Sequence, residues 1–350
     1  MYKPKKTILV AGGAGFIGSN FIRYVYNKYP RYKLLNLDLL TYAGNLDNLL
    51  DIEEQESQKK PNNKRYHFLL GDICDIDFVN KVFKTYKPDI VVNFAAESHV
   101  DRSIIDSRYF FRTNLIGVHN LVEMVIKHKL ARYIQISTDE VYGDVPKGMS
   151  TENSSFRPSN PYSASKAAAD LLVQSYIRTH KLPALIIRGS NNYGPYQYPE
   201  KLIPLSITNL LEGRKIPIHG NGYQRRKWLF VNDFCKAIDL AMQKGKDFSI
   251  YNVAGIEMRN IDIVKRICKK LKMDHRKMVA FVRDRPGGDK RYAPNDSKIK
   301  KELGWKLEHR VSDNLGAVIE WYMQNANWWK KIKGKDEFKI RYKKQYKSEY

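Results

Sequence analysis

Three glycines set the terms for the whole chain. Gly12, Gly15 and Gly18 stand in GGAGFIG, between the apolar run TILVA at 7–11 and a segment of helical periodicity at 17–29 that Pro30 stops. A short apolar run ending in glycines has the pattern of a buried parallel strand. Glycines at that point permit a tight turn and let the backbone approach a pyrophosphate. The helix that follows presents unpaired N–H groups and the positive end of its dipole. Strand, glycine loop and helix in that order predict a nucleotide-binding unit.

The alternation continues. Strands are expected at 32–38, 65–70, 90–95, 131–137 and 183–188, and helices at 114–128 and 161–180. The charged stretch 51–65, with Pro61, Asn62 and Asn63, is expected to be an exposed loop or frayed helix. Strands alternating with helices imply right-handed crossovers and a doubly wound parallel sheet, a Rossmann-type α/β fold.

From residue 191 the pattern changes, with Tyr193-Gly194-Pro195, Pro199, Pro204, Pro217, Pro286-Gly287-Gly288 and Pro294. The expected division is a dinucleotide domain at 1–190 and 226–255, to which the segment 227–242 returns, and a smaller mixed substrate domain at 191–225 and 256–330. The lysine-rich end, 331–350, is expected to be a solvated, partly disordered tail.

Composition narrows the function classes. The net charge of +24 suits either nucleic-acid binding or attraction of an anionic substrate. Cys74, Cys235 and Cys268 show neither metal-ligand spacing nor a disulfide framework, so no metal is expected, and the thiols read as buried hydrophobes of a reducing compartment. No apolar run is long enough to span a bilayer, and residues 1–6 lack the apolar core of a signal peptide. The expected location is cytoplasmic, without a membrane partner.

Candidate site residues sit where such a sheet binds ligands, at the carboxyl ends of strands. Asp38 ends the second strand and can accept hydrogen bonds from both ribose hydroxyls while repelling a 2′-phosphate, which favours NAD over NADP. Asp72 follows the third strand, and Ala95-Ala96 follows the fourth. Tyr162 and Lys166 share one helical face. A free phenol, with a pKa of about 10, is a poor base. A neighbouring ammonium and a nicotinamide charge would bring it toward the working range. Thr138, Asp139 and Glu140 close the fifth strand. Adjacent carboxyl groups there are costly unless they work as an acid and a base. An elimination needs such a pair; a simple dehydrogenase does not.

The segments GGAGFIGSN, NLDLLTYAGN, GDICD, FAAESHVDRSI, ISTDEVYGD, PYSASKAAAD, SNNYGPYQYPEKLIPL and DRPGGDKRYAPN together resemble the dTDP-glucose 4,6-dehydratase family. This is a branch of the extended short-chain dehydrogenase/reductase superfamily, and the likeness runs over residues 7–329. UDP-glucose 4,6-dehydratases share most of these features, and no residue pattern distinguishes thymine from uracil. The resemblance implies an internal redox cycle with NAD. Tyr162, aided by Lys166 and Thr138, takes the O4 proton as hydride leaves C4. Glu140 removes the C5 proton, protonated Asp139 donates to the departing C6 hydroxyl, and hydride returns to C6 and a proton to C5. The product is a 4-keto-6-deoxy sugar nucleotide, an early intermediate of deoxysugars such as rhamnose.

The resemblance also assigns contacts. To the cofactor it assigns Gly12, Gly15, Phe16, Ile17, Gly18, Asp38, Leu39, Leu40, Thr41, Asp72, Ile73, Phe94, Ala95, Ala96, Glu97, Ser98, Thr113, Tyr162, Lys166 and Asn192. To the substrate it assigns Ser98, Thr138, Asn191, Lys201, Leu202, Pro217, His219, Arg226, Asn260, Asp284, Arg285, Pro286, Gly287, Gly288 and Tyr292. Arg226 suits a diphosphate clamp, since guanidinium groups pair well with phosphate oxygens. Bacterial members usually carry aspartate at the position of Lys227 and histidine at that of Gly288. The family further implies a homodimer through the helices at 114–128 and 161–180. Two other readings stand beside it. A nucleotide-sugar 4-epimerase does not need the Asp139–Glu140 pair. A non-catalytic NAD-binding regulator on nucleic acid would have lost the tyrosine, lysine or acid pair, all of which are present.

Overall fold

Every second side chain of the first strand enters one core, and its neighbours enter another. In β1 (Lys6–Ala11), Ile8 and Val10 join a cluster on one face while Leu9 and Ala11 join a cluster on the other. A strand buried on both faces needs helices on both sides. Burying Ile8, Leu9 or Val10 contributes about 1.5–3 kcal/mol each relative to exposure.

The computed structural model describes residues 4–284 and 286–346. The remaining strands are β2 (Tyr32–Asp38), β3 (Tyr66–Leu70), β4 (Ile90–Asn93), β5 (Arg132–Thr138), β6 (Ala184–Gly189), β7 (Asn191–Tyr193), β8 (Ile216–His219), β9 (Arg225–Phe230), β10 (Ile250–Val253), β11 (Ile256–Arg259) and β12 (Val279–Val282). Seven of them form one parallel sheet in the order β3-β2-β1-β4-β5-β6-β10. This is the Rossmann-type arrangement, with its reversal of strand order, and hence its crevice, between β1 and β4.

Two small sheets, β11-β9-β7 and β12-β8, carry the other face of the crevice. The segment 227–242 divides between the two parts of the molecule. Strand β9 stays in the three-stranded sheet, and the helix Val231–Lys244 packs on the helix Phe16–Lys28. The stretch 51–65 holds a helix, Leu50–Ser57, whose buried Glu56 accepts from the Tyr26 hydroxyl and from the Arg65 N–H.

The lysine-rich end departs from expectation. It is not a solvated tail through residue 346, but a helix, Asp336–Tyr346, docked on the body. Phe338, Tyr342 and Tyr346 recur every fourth residue, so they share one face, and they bury against Leu205 and Ile332. Lys343 and Lys344 lie on the exposed side. Lysine density masked an amphipathic helix.

Candidate active site

The helix Phe16–Lys28 begins at Gly15 without a side-chain cap, so no side chain competes for its first-turn N–H groups. Gly12 has φ +76°, and a Cβ there would stand 2.5 Å from the Ala95 nitrogen. A Cβ on Gly18 would stand 2.3 Å from the Gly12 carbonyl oxygen. Only glycine lets these backbones meet, and the result is a cradle fitted to a pyrophosphate. Asp38 closes one side. Its two oxygens accept from Ala14 N–H at 2.9 Å and Leu40 N–H at 2.8 Å.

Along this cradle runs the first cavity. Gly12, Gly15, Phe16, Ile17, Gly18, Asp38, Leu39 and Thr41 line one end, Asp72, Ile73, Thr113 and residues 94–98 the middle, and Tyr162 and Lys166 the other end. Two expected cofactor residues lie elsewhere. Leu40, at φ +56°, does not line it, and Asn192 lines the second cavity. The dinucleotide fits what is there: glycine backbone at one end, an acidic strand end for ribose, and a middle of mixed apolar and polar side chains.

The chemistry-bearing side chains meet where β5 stops. Thr138 caps the short turn Asp139–Tyr142, its Oγ1 accepting from Glu140 N–H at 3.2 Å. Tyr162 lies in the first turn of the helix Pro161–His180, which opens with a capping box between Asn160 and Ser163. Lys166 is one turn later, and its Nζ donates to the Ile136 carbonyl at 2.7 Å. A buried ion pair, Arg188–Asp170 at 2.8 Å, ties that helix to β6, and Arg188 also holds Tyr142 at 2.7 Å. Removing one partner of such a pair costs about 3–5 kcal/mol.

Electrostatics separate the groups. Burial, with the Glu140 carboxylate next in weight, pushes Asp139 up to about 8, and Arg226 pulls the other way. Asp139 Oδ2 is buried without a hydrogen-bond partner among the described residues. Burial lowers Lys166 to about 8, with Asp170 opposing. Tyr162 is raised by burial and then by Glu140, while its hydrogen bond with Thr138 lowers it. The phenol is therefore the resting form, and only a cation beside it would favour phenolate.

A second cavity opens beyond Glu140. Of the expected substrate residues, Ser98, Asn191, Lys201, Leu202, Pro217, His219 and Arg226 line it. So do Asn260, Asp284, Pro286, Gly287, Gly288 and Tyr292. Thr138 stays behind the wall as a hydrogen-bond partner, and Arg285 lies outside the described residues. Arg226 donates to the Asp289 carbonyl at 2.8 Å and stands 4.1 Å over the Tyr292 ring. Lys227 points away from the cavity and donates to the Pro294 carbonyl at 2.8 Å. Buried Asn191 Oδ1, Asn192 Oδ1 and Asn260 Oδ1 have no partner among the described residues.

Ser98, Gln197, Glu200 and Lys201 line both cavities, so the two form one cleft. Sequence reasoning missed Tyr42, Gln197, Glu200 and Tyr346. Tyr42 stood in the quoted NLDLLTYAGN; its hydroxyl pairs with Ser98 at 3.3 Å, and the Arg102 guanidinium lies 4.0 Å over its ring. The four-residue aromatic spacing at the chain end was the signal for Tyr346.

A sequence profile of the family described as GDP-mannose 4,6 dehydratase matches residues 9–316. A dTDP-glucose 4,6-dehydratase of Shigella flexneri is 43% identical, over 93% of this chain and 95% of its own. One from Streptomyces niveus is 44% identical, over 94% and 96%. Among solved structures, a Streptomyces venezuelae dTDP-glucose 4,6-dehydratase crystallised with NAD matches with TM-score 0.88 and 40% identity, over 93% of this chain and 99% of that one. A Thermotoga maritima UDP-glucose 4-epimerase matches with TM-score 0.83 at 26% identity, over 91% and 99%.

Proposed function

The chain belongs to the dTDP-glucose 4,6-dehydratase family, and from that premise we propose that it is an NAD-dependent hydro-lyase acting on dTDP-glucose or UDP-glucose. It yields the 4-keto-6-deoxy sugar nucleotide, the starting point for a deoxysugar such as rhamnose. One observation carries the reading: Asp139 is buried beside Glu140, with its proton held up to about 8. Two neighbouring carboxyl groups are thereby divided into a donor and an acceptor.

NAD, when bound, supplies a hydride acceptor at the sugar C4 and a hydride donor at C6. The cradle at Gly12, Gly15 and Gly18 would hold its pyrophosphate and Asp38 its ribose. The side chains handle the protons. Tyr162, bonded to Thr138, takes the O4 proton as the phenolate that the nicotinamide charge beside it would favour. Glu140, in the wall of the substrate cavity, takes the proton from C5, which the C4 carbonyl has made acidic, and returns it to C5 when hydride reaches C6. Asp139 gives its proton to the C6 hydroxyl, which leaves as water. Arg226 pairs with the diphosphate.

Mass spectrometry tests the reading directly. Incubation with dTDP-glucose or UDP-glucose is expected to give a product lighter by one water. Recovery of only the isobaric galactose epimer, told from substrate by proton NMR, would make the protein an epimerase. A salt-dependent duplex gel shift without any turnover would make it a nucleic-acid regulator.

The reading includes a homodimer in the cytoplasm, without membrane or nucleic acid as partner. No helix among the described residues is long and apolar enough to cross a membrane. Tyr109 (61% exposed), Ile116 (50%) and Leu171 (57%) give the helices around 108–127 and 161–180 an apolar outer face that pairing would cover. Leu171→Glu is expected to shift the light-scattering mass from dimer to monomer; a monomeric parent protein would refute the pairing.

A further inference from the structure

We propose that the C-terminal helix Asp336–Tyr346 is a clasp on the cofactor: it backs Tyr42 and Tyr198 in the wall of the first cavity, and Arg341 and Gln345 are the residues that position it. The proposal rests on the reading of that cavity as the NAD site and adds residues from outside its lining.

Tyr42 follows β2 and Tyr198 follows β7, so two distant parts of the chain supply them. Both line the cofactor cavity. Their rings meet edge to face with centroids 5.6 Å apart. The helix stands behind both. The Phe338 ring lies 6.1 Å from the Tyr198 ring, and the Arg341 guanidinium lies 5.4 Å over the Tyr42 ring. Aromatic pairs and cation–ring contacts depend on orientation, so they fix the two rings as well as cover them. Arg341 also acts by charge on the same wall. Burial raises the Glu200 carboxyl, and Lys201, Arg102 and Arg341 oppose that rise. Glu200 lines both cavities.

The helix is anchored along its length. Just before it, buried Lys333 donates from Nζ to Glu212 at 2.6 Å and to Asn209 Oδ1 at 2.9 Å. In its middle, Tyr342 packs on Leu205 and Ile332, and its hydroxyl accepts from Asn209 Nδ2 at 3.0 Å. Near its end, Gln345 Nε2 donates to Asp101 Oδ2 at 2.6 Å. Leu205 and Asn209 belong to the helix Leu202–Leu211, whereas Asp101 belongs to the short helix Val100–Ile105, directly after the 94–98 segment of the cofactor wall. One helix therefore joins these two parts, and it lies beyond residues 9–316, which the family profile matches. A reaction that returns its hydride in every turnover has no use for cofactor exchange. Parting Tyr42 from Tyr198 opens the wall, and the docked helix opposes that.

Holoprotein loaded with labelled NAD and chased with excess unlabelled NAD gives the release rate. Arg341→Ala combined with Gln345→Ala is expected to speed release about tenfold or more, the worth of a shielded cation–ring contact and a hydrogen bond. Arg341→Lys keeps a cation over Tyr42 and should stay within about threefold of the parent. Lys343→Ala, on the exposed side, should stay within about twofold. With NAD saturating, kcat and the sugar-nucleotide KM of the double variant should stay within about twofold of the parent. Should the double variant melt below the parent, amide hydrogen exchange of the parent decides. Coupling is reciprocal, so added NAD must protect the 336–346 amides. Protection that NAD leaves unchanged, parent-like release in the double variant, or equal acceleration in Lys343→Ala overturns the clasp. A parent that retains NAD but releases no water from dTDP-glucose or UDP-glucose overturns the dehydratase reading and leaves the clasp standing.

Discussion

The two cavities of the cleft are built in opposite ways. The cofactor cavity is built around glycines, a helix start without a side-chain cap and the ends of β1, β2 and β4, supplied chiefly by the first hundred residues, with Thr113, Tyr162, Lys166 and the turn carrying Gln197, Tyr198, Glu200 and Lys201 closing it. The substrate cavity is mostly side chains, gathered from β5, the loop after β7, β8, β9, the segment after β12 and the last helix. Backbone geometry is set within a dozen residues, whereas side-chain walls need the whole fold. One cavity can therefore stay constant while the other changes its substrate.

Substitutions at the seam should have the largest effects and should separate the two proton steps. Tyr162→Phe is expected to lower kcat by about 10²–10⁴ and to abolish C4 oxidation. Glu140→Gln should cost a comparable factor yet retain C4 oxidation, with exchange of the C5 hydrogen in deuterated water lost. NMR of the recovered sugar nucleotide reads the exchange. Full exchange in Glu140→Gln would move the base elsewhere.

The next pair sets one cavity against the other. Gly12→Ala forces a side chain into a left-handed backbone and against Ala95. The conformation alone costs about 1–3 kcal/mol. Copurified NAD, measured after denaturation, should fall by about tenfold or more. Arg226→Ala should leave NAD content unchanged and raise KM by about 10–100-fold, the worth of charge-assisted hydrogen bonds to phosphate. If Arg226→Ala also loses cofactor, the two cavities are not independent.

The same contrast explains what could be read without a structure. The parallel sheet was legible because β1 and β6 carry unbroken apolar runs at 8–11 and 184–187, and the cofactor wall because Gly12, Gly15, Gly18 and Asp38 are spaced by local geometry alone. Asp139 and Glu140 were legible because buried neighbouring carboxyls are costly without a task. Leu40, in the left-handed region, and Asn192, on the β7 that joins the small sheet, are the two expected cofactor residues that do not line the first cavity. The last helix was read as solvent-exposed because lysines dominate its composition, while its aromatic face has a partner only once Leu205 and Ile332 are brought alongside.

The smallest expected effect concerns pH and couples the two cavities. Asp139 works as the protonated donor, and its proton is retained up to about 8. Lys166 works as the cation, also retained up to about 8. Both needed forms are the protonated ones, so these two groups set a descending limb that is lost above that value. The fall in kcat/KM should be about tenfold per pH unit for one group and steeper where both deprotonate. Arg226 separates them. Its charge opposes the upward shift of Asp139, whereas the opposing influence on Lys166 comes from Asp170. In Arg226→Ala, the Asp139 part of the descending limb should therefore move to higher pH, while the Lys166 part stays. A limb that keeps its position and slope in this variant would show that Asp139 does not supply the proton.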